Sequence, residues 1–348
     1  MKLGIIGLSQ AGKSNIFAAL TGARGVKQDH SSSRTDPGIA TIAVLDERID
    51  FLVKMYQPKK TTYAKIEYLL PSEIHAASPA RAEEGALTQI RICDALIHVV
   101  RNFKGPGGEL PASEQDFWQL EEEMLLNDLA VAEKRLERIE LDRKRGKKRD
   151  EEEYGLVKSC VEHLEKGRPL RKIPELSSEP LLKGFTFLTA KPTLVIINNE
   201  DEDETLPQWN RKPEGIELMI VRGRLEMDIA SMAPVDAEEF IEAYHIQESA
   251  LDRVIKGSYR LLNQISFFTV GSDEVKAWSI TAETPAVEAA GRVHSDIEKG
   301  FIRAETLSFE NLNTCGSYKE ARKAGLVRLE GKGYKVKDGD IINFRFNL

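Results

Sequence analysis

The sequence predicts an α/β fold that carries a helical insertion and ends in a small α+β module. Short apolar stretches rich in β-branched residues alternate with helical ones, as in a parallel sheet that is covered on both faces. A charge-dense helical stretch interrupts this alternation, and a hairpin pattern begins only near Asn263. The 348 residues are enough for about two or three compact units.

Several apolar stretches predict the strands of the parallel sheet. They are residues 3–6, 39–44, 64–70, 95–100, 193–197 and 218–221. The run Ala-Leu-Ile-His-Val-Val has the pattern of a central strand that is buried on both faces. His98 lies in this run, and we therefore interpret it as a core histidine.

A phosphate-binding motif follows the first predicted strand. Residues 7–14 read Gly-Leu-Ser-Gln-Ala-Gly-Lys-Ser, which is G-x-x-x-x-G-K-S between a strand and a helix. A glycine-permissive turn directs backbone N–H groups at a phosphate, and the helix adds the positive end of its dipole. Lys13 is expected to reach the outer phosphates of a nucleotide, and the Ser14 hydroxyl is expected to bind Mg²⁺. The predicted nucleotide-binding residues are Gly7, Ser9, Gln10, Ala11, Gly12, Lys13, Ser14 and Asn15. The alternative is a glycine-rich turn that binds no ligand.

Composition limits the classes of function. The formal net charge of −7, from 49 basic and 56 acidic residues, gives no global argument for nucleic-acid binding, so any basic surface must be local. Cys93, Cys160 and Cys315 lack metal-ligand spacing and are typical of reduced thiols in the cytoplasm. We expect no signal peptide, because the sequence goes directly into the first strand, and no apolar run is long enough to cross a bilayer.

The insertion is predicted to be an antiparallel coiled-coil arm. Apolar residues recur at helical spacing in two series, which are Leu125, Leu129, Ala132, Leu136 and Ile139, then Tyr154, Val157, Val161 and Leu164. The turn between the series contains Arg143, Lys144, Arg145, Lys147, Lys148 and Arg149. A solvated loop that balances the neighbouring acidic residues is one interpretation of this turn. The other is a contact with RNA phosphates, which would position the protein without reading bases, since no aromatic residue is interleaved.

The C-terminal part has the pattern of a compact α+β module. Residues 265–270 and 277–280 predict the strands of a hairpin, with Gly271-Ser272-Asp273 between them. Residues 326–348 alternate polar and apolar side chains around Lys337-Asp338-Gly339-Asp340. We find no catalytic constellation in this module.

The motifs together resemble the YchF-type ATPases, the Obg-like branch of the translation-factor GTPases, over nearly the whole chain. The most specific matches are residues 268–271, 275–278, 298–305, 338–340 and 344–346, which resemble the ubiquitin-like TGS domain of that family. Residues 36–38, 98–101 and 133–138 match as well. The resemblance implies a Ras/Obg-like P-loop domain in residues 1–115 and 183–262, a coiled-coil insertion in 116–182 and a TGS domain in 263–348. It also implies a cytoplasmic nucleotide-dependent switch that associates with ribosomes.

The chain departs from the family pattern at two nucleotide-sensing motifs. Leu70-Pro71-Ser72-Glu73 stands where the family has Asp-x-x-Gly, so the carboxylate that holds Mg²⁺ through water is missing. Arg34 aligns with the switch threonine, and Thr35 follows one position later. Either Thr35 serves as the ligand, or Arg34 contacts the phosphates, or the switch loop is not functional. Ile74 keeps the hydrophobic residue that the family carries in place of a catalytic glutamine, and neither the neighbouring His75 nor any other residue stands out as a general base.

The base-binding loop is predicted after the strand at residues 193–197. Asn198-Asn199-Glu200-Asp201 keeps the Asn and the Asp of the GTPase motif Asn-Lys-x-Asp but lacks its lysine. Asn198 and Asp201 are therefore predicted to bind the base, and a solvated acidic loop is the alternative. The resemblance favours ATP over GTP without deciding between them.

The leading hypothesis is a purine-nucleotide-binding switch that uses ATP or GTP with Mg²⁺ and associates with the ribosome or rRNA. The basic turn of the arm and the TGS domain are the expected contact regions. Hydrolysis is expected to be slow or lost, because Asp-x-x-Gly is absent. The alternative is a non-catalytic adaptor for the ribosome or RNA, in which the P-loop is a relic.

Overall fold

The computed structural model describes residues 1–22, 37–72, 79–146, 148, 150–243 and 249–347. Arg34, Thr35, Ile74 and His75 lie outside the described residues, as do Glu73, Lys147 and Arg149. Two compact units are present. The first comprises Met1–Thr41 and Glu67–Val254, and the second comprises Ile42–Ile66 and Ile255–Leu348. The limits predicted for the nucleotide domain, the insertion and the TGS domain remain predictions.

Twelve strands and thirteen helices are formed within the described ranges. The strands are β1 (Lys2–Ile6), β2 (Gly38–Val44), β3 (Lys60–Thr62), β4 (Ala64–Leu70), β5 (Ala95–Asn102), β6 (Thr193–Asn199), β7 (Leu218–Val221), β8 (Gln264–Val270), β9 (Glu274–Thr281), β10 (Phe301–Ser308), β11 (Arg328–Glu330) and β12 (Asp340–Phe346). The helices are α1 (Lys13–Gly22), α2 (Glu47–Tyr56), α3 (Pro79–Ile90), α4 (Ser113–Lys144), α5 (Glu151–Glu165), α6 (Pro174–Ser177), α7 (Gly223–Ser231), α8 (Pro234–Ala243), α9 (Ala250–Leu261), α10 (Ala286–Val293), α11 (Ser295–Lys299), α12 (Phe309–Cys315) and α13 (Tyr318–Lys323). Two 3₁₀ segments are Leu170–Lys172 and Pro180–Phe185.

The first sheet has six strands in the order β2-β4-β1-β5-β6-β7. Its pairs from β4 through β7 are parallel, which confirms the α/β class predicted from the alternating apolar stretches. All seven residues of β6 are buried, as expected for a central strand. The chain order reverses on either side of β1, and such a switch point at the carboxyl ends of the strands is where open α/β sheets bind ligands.

The insertion consists of α4 and α5, which together we call the arm. Its core contains Ala132, Val157, Cys160 and Leu164. All of these except Cys160 belong to the two apolar series in the sequence, so these series face the interior of the arm. Asp150 caps α5 by accepting hydrogen bonds from the backbone N–H groups of the second and third residues of that helix.

A buried carboxylate anchors the arm near its root. Asp128 on α4 is fully buried and accepts hydrogen bonds from Leu188 N at 3.0 Å, Thr189 N at 2.7 Å and Thr189 Oγ1 at 2.8 Å. Arg91 lies 3.2 Å from the same carboxylate. Since a buried charge is stable only when it is paired and hydrogen-bonded, these contacts fix the position of α4.

The second unit is built on a six-stranded sheet in the order β11-β10-β12-β8-β9-β3. The hairpin β8–β9 is antiparallel, as predicted, and β10 pairs with β12 in the same way. Phe267, Phe301 and Phe344 form part of its core together with Ala290 of α10. Residues 60–62 complete this sheet, because β3 pairs in parallel with β9. Across the described part of the chain, none of the helices is both long and apolar enough to span a membrane.

Candidate functional site

The P-loop connects β1 to α1 through two glycines that no other residue could replace without strain. Gly7 has φ +156°, and a Cβ there would lie 2.3 Å from Val99 O. Gly12 has φ +89°, and a Cβ there would lie 2.2 Å from Asn198 Nδ2. Gln10 adopts the left-handed conformation as well, at φ 64°. The backbone therefore curls as a phosphate-binding loop requires.

Lys13 is the first residue of α1 and bends back over the loop. Its Nζ donates hydrogen bonds to Gly7 O at 2.9 Å and Leu8 O at 2.8 Å. Of the other predicted binding residues, Ser9, Gln10 and Ser14 are exposed, Asn15 is half-buried and Ala11 is buried. The ammonium and the Ser14 hydroxyl thus lie at the N-terminus of a helix, which attracts anions.

Asn198 links the P-loop to the loop that follows β7. Its side-chain amide donates to Ala11 O at 3.0 Å and accepts from Gly223 N at 2.9 Å, and the residue is 3% exposed. A Cβ on Gly223 would lie 2.8 Å from Asn198 Oδ1, so a larger residue here would displace this amide. Asn198 therefore positions two loops, while its predicted contact with a base remains a prediction.

Asp201 lies beyond the end of β6, next to the start of α7. Its Oδ1 accepts a hydrogen bond from Leu225 N at 3.2 Å, and its Oδ2 lies 3.9 Å from Arg224 Nε. The Asp201 side chain is 40% exposed. This carboxylate can therefore accept further hydrogen bonds from a ligand, and its contact with a base stays a prediction.

The end of β5 adds residues that the sequence did not single out. Asn102 Nδ2 donates to Asn199 Oδ1 at 2.9 Å, and Lys104 N donates to Glu200 Oε1 at 3.1 Å. Phe103 lies 3.8 Å from the position that a Cβ on Gly12 would occupy. The available sequence clue was position alone, since the carboxyl ends of parallel strands meet at one edge of the sheet.

Among the described residues, Leu70 to Ser72 at the end of β4 include no carboxylate. Leu70 is its last residue, and Ser72 is held to α3 by Gln89, which accepts from Ser72 N at 2.9 Å and donates to Ser72 Oγ at 2.8 Å. No cluster of three or more His, Cys, Asp or Glu side chains suited to a metal ion occurs among the described residues. The Ser14 hydroxyl and the phosphates of a bound nucleotide are compatible with Mg²⁺, but Leu70 cannot orient a water on that ion.

His98 is a buried core residue, as the sequence indicates. It is 1% exposed, and its ring stacks on Phe117 with the centroids 5.1 Å apart. Burial, followed by the positive charges of Arg171 and Lys13, lowers the pKa of His98 to about 3. The imidazole is therefore neutral at physiological pH.

The described residues of the basic turn of the arm are accessible to solvent. Arg143, Lys144, Arg145 and Lys148 are all exposed, and the first two lie in the last turn of α4. Positive side chains are stable at a helix C-terminus because of the helix dipole. The patch therefore presents concentrated positive charge on a protein whose net charge is −7.

Comparison with known proteins identifies the family. Residues 264–347 match the family model YchF-GTPase_C, described as a protein of unknown function (DUF933). The "Ribosome-binding ATPase YchF" of Bacillus subtilis (strain 168) is 35% identical over 366 residues, covering 99% of each chain. Its namesake in Escherichia coli O157:H7 is 36% identical over 363 residues, covering 100% of this chain and 99% of the relative. The solved structure of the Schizosaccharomyces pombe YchF GTPase matches with a TM-score of 0.84 and 27% identity, over 99% of this chain and 97% of that one. Because identity above 30% extends over essentially the whole length, the chain belongs to the YchF family.

Proposed function

We propose that this protein is a switch that binds ATP or GTP and associates with ribosomes in the cytoplasm. The observation that carries the proposal is the P-loop, where Gly7 and Gly12 curl the backbone at positive φ and Lys13 Nζ lies over the loop. The relatives named ribosome-binding ATPases, which match over the full length, support the association with ribosomes.

The phosphates of the nucleotide would bind at the N-terminus of α1. The N–H groups of the loop and the Lys13 ammonium would neutralise their charge, and the ammonium would leave Gly7 O and Leu8 O to do so. Mg²⁺ would be held by the Ser14 hydroxyl and would shield the outer phosphates. Asn198 keeps the loop in place for this contact through its bond to Ala11 O at 3.0 Å.

The base would bind between the ends of β5 and β6, near Phe103 and Asp201. A carboxylate at Asp201 accepts hydrogen bonds from the edge of guanine, whereas adenine offers no matching donors there. Asp201 already accepts a hydrogen bond from Leu225 N at 3.2 Å. The number of further hydrogen bonds that its carboxylate can accept from a base therefore decides how strongly GTP is favoured over ATP.

Hydrolysis is proposed to be slow or lost. Catalysis of phosphoryl transfer rests on positioning and on charge stabilisation. The chain has Leu70 at the position where its relatives' pattern has a carboxylate, so the water shell of Mg²⁺ would be poorly oriented. The nucleotide complex would then be long-lived, and the switch would be controlled by nucleotide binding and release rather than by rapid hydrolysis.

The nucleotide site is tested by calorimetric titration with ATP and with GTP, each with and without Mg²⁺. We expect one of them to bind with micromolar affinity, which corresponds to about −8 kcal/mol. Lys13→Ala should abolish this binding, whereas Lys54→Ala, which removes an exposed lysine of α2, should leave it unchanged. Binding of neither nucleotide would refute the proposal and favour the non-catalytic adaptor.

Ribosome association is tested by co-sedimentation at increasing salt. Replacement of Arg143, Arg145 and Lys148 by serine should weaken binding and reduce the salt slope, by about 0.7 to 0.9 for each phosphate that the variant no longer neutralises. Lys158→Ser, on the exposed surface of α5, serves as the control. An unchanged slope in the triple variant would show that the basic turn does not contact RNA. In a separate comparison, a change in co-sedimentation on adding nucleotide would favour the switch over the adaptor.

A further inference from the structure

A pocket of about 480 Å³ lies at the root of the arm, within the first unit. Its walls come from the start of α4, including Phe117 and Trp118, from the chain after α5, including Arg168 and Arg171, and from the loop before β7, including Arg211. We call it the arm-root pocket. Its volume is in the range of small-molecule sites, and the P-loop residues do not line it.

Two buried charged groups of the arm-root pocket have unused hydrogen-bonding atoms. Arg171 Nη2 donates to Glu121 Oε2, and the two side chains are only 10% and 3% exposed. Within the part of the chain that the structure describes, Arg171 Nε, Arg171 Nη1 and Glu121 Oε1 have no hydrogen-bond partner. Such groups are rarely left unsatisfied, because the guanidinium is always charged and its donors lose water on burial. Acceptors from outside the protein chain are therefore expected near Arg171.

The charge of the arm-root pocket favours an anion. Its basic residues are Lys166, Arg168, Arg171, Lys172 and Arg211, and its acidic residues are Glu121, Glu122 and Glu214. Arg171 is paired with Glu121, and Lys172 is paired with Glu214 at 3.0 Å. The remaining residues leave an excess of positive charge on a protein that is acidic overall.

One wall of the arm-root pocket is flat and combines an indole, a guanidinium and apolar side chains. The Arg211 guanidinium lies 3.7 Å from the centroid of the Trp118 ring, and Trp118 Nε1 donates to Arg211 O at 3.2 Å. Leu125 and Ile216 extend the apolar surface. Because Arg211 covers this face of Trp118, a planar group of a ligand would stack on the guanidinium, whose plane packs against aromatic rings.

We propose that the arm-root pocket binds a small organic oxyanion, a phosphate ester or carboxylate attached to a flat ring. The oxyanion supplies acceptors for Arg171 and is surrounded by the positive charge of Lys166 and Arg168. The ring packs against the Arg211 guanidinium, next to Trp118. The proposal is independent of nucleotide binding at the P-loop, and because the pocket joins α4 to the chain after α5, its ligand would stabilise the root of the arm.

The test uses the full-length protein and phenyl phosphate as the probe. The indole ¹H–¹⁵N signal of Trp118, assigned by its loss in Trp118→Phe, is followed during the titration. We expect a saturable one-to-one shift with a Kd below about 1 mM, and binding at least about tenfold weaker for inorganic phosphate and for phenol. No saturable shift would overturn the proposal, and equal affinity for inorganic phosphate would overturn the requirement for a ring.

Variants separate the arm-root pocket from the P-loop. Arg171→Lys keeps the charge opposite Glu121 but removes the planar donors, and it should weaken binding of phenyl phosphate at least about tenfold. The double variant Glu121→Gln/Arg171→Gln removes both charges together and should do the same without an unpaired charge. Lys13→Ala should leave the affinity unchanged. Loss of binding in Lys13→Ala, with Arg171→Lys unaffected, would assign the probe to the P-loop and overturn the proposal.

Discussion

Replacing Asn198 by alanine should disconnect the P-loop from the start of α7. The native amide makes two hydrogen bonds, to Ala11 O at 3.0 Å and from Gly223 N at 2.9 Å. Both partners belong to buried residues, and Asn198 itself is 3% exposed. Water therefore cannot easily replace the missing amide.

The cost follows from the two backbone groups that lose their partner. A buried donor or acceptor left unsatisfied costs about 1–3 kcal/mol, so Asn198→Ala should lower the free energy of unfolding of the first unit by about 2–6 kcal/mol. Nucleotide affinity should fall as well, because the loop that carries Ala11 and Lys13 is no longer held.

Urea unfolding measures this loss in a Trp278→Phe background. Trp278 lies in the second unit, so fluorescence of Trp118 and Trp209 then reports on the first unit alone. Gln115→Ala, at an exposed position of α4 in the first unit, is the matched control and should change stability by less than about 0.5 kcal/mol. If Asn198→Ala were no more destabilising than this control, the inference that Asn198 holds the two loops together would be refuted.

Three further outcomes are expected from the first unit. Gly12→Ala should destabilise it by at least about 2 kcal/mol more than Gly108→Ala, because both glycines have positive φ (+89° and +85°) but only at Gly12 does a Cβ meet another atom within 4 Å; equal losses in urea unfolding would contradict this. The pKa of His98 is lowered to about 3 by burial and by the charges of Arg171 and Lys13, so the unfolded chain binds the proton first as pH falls. From about pH 6.5 to pH 5 the wild type should therefore lose about 2 kcal/mol of stability that His98→Gln retains, and parallel pH profiles would argue against a buried neutral imidazole. Asp128→Asn should cost about 3 kcal/mol in urea unfolding, because an amide cannot accept all the bonds that this carboxylate receives, and a cost below about 1 kcal/mol would show that the anchor is dispensable.

The parallel sheet could be predicted because its central strands, β1, β5 and β6, are buried on both faces over most of their length. Residues 64–70 and 218–221 form strands with the predicted bounds; the second is an uninterrupted apolar run, whereas Lys65 and Glu67 interrupt the first. The P-loop could be predicted equally well, because Gly7, Gly12 and Lys13 lie within one short segment, residues 7–14, and local geometry fixes their roles.

Long-range pairs could not be predicted in this way. Arg171 and Glu121 are 50 positions apart, and nothing in their spacing indicates that they form a buried ion pair. Likewise, β3 contains three mostly exposed residues without apolar alternation, so its pairing with β9 depends on tertiary contacts alone. The role of Asn198 in positioning two loops could not be predicted either. The motif indicates a contact with a base, but it does not indicate hydrogen bonds to the backbone of Ala11 and Gly223.

Nucleotide affinity and hydrolysis depend on different parts of this chain. The P-loop cradle is fixed by the conformations of Gly7 and Gly12 and by the hydrogen bonds of Asn198, and none of these involves the end of β4. The absence of a carboxylate at Leu70 affects the orientation of a metal-bound water, which matters most in the transition state. We therefore expect the departure from the family pattern to lower kcat far more than affinity. A bound nucleotide can still stabilise the state that binds it, by about 2.7 kcal/mol at a concentration of 100 times Kd, so a switch of this kind needs occupancy and not turnover.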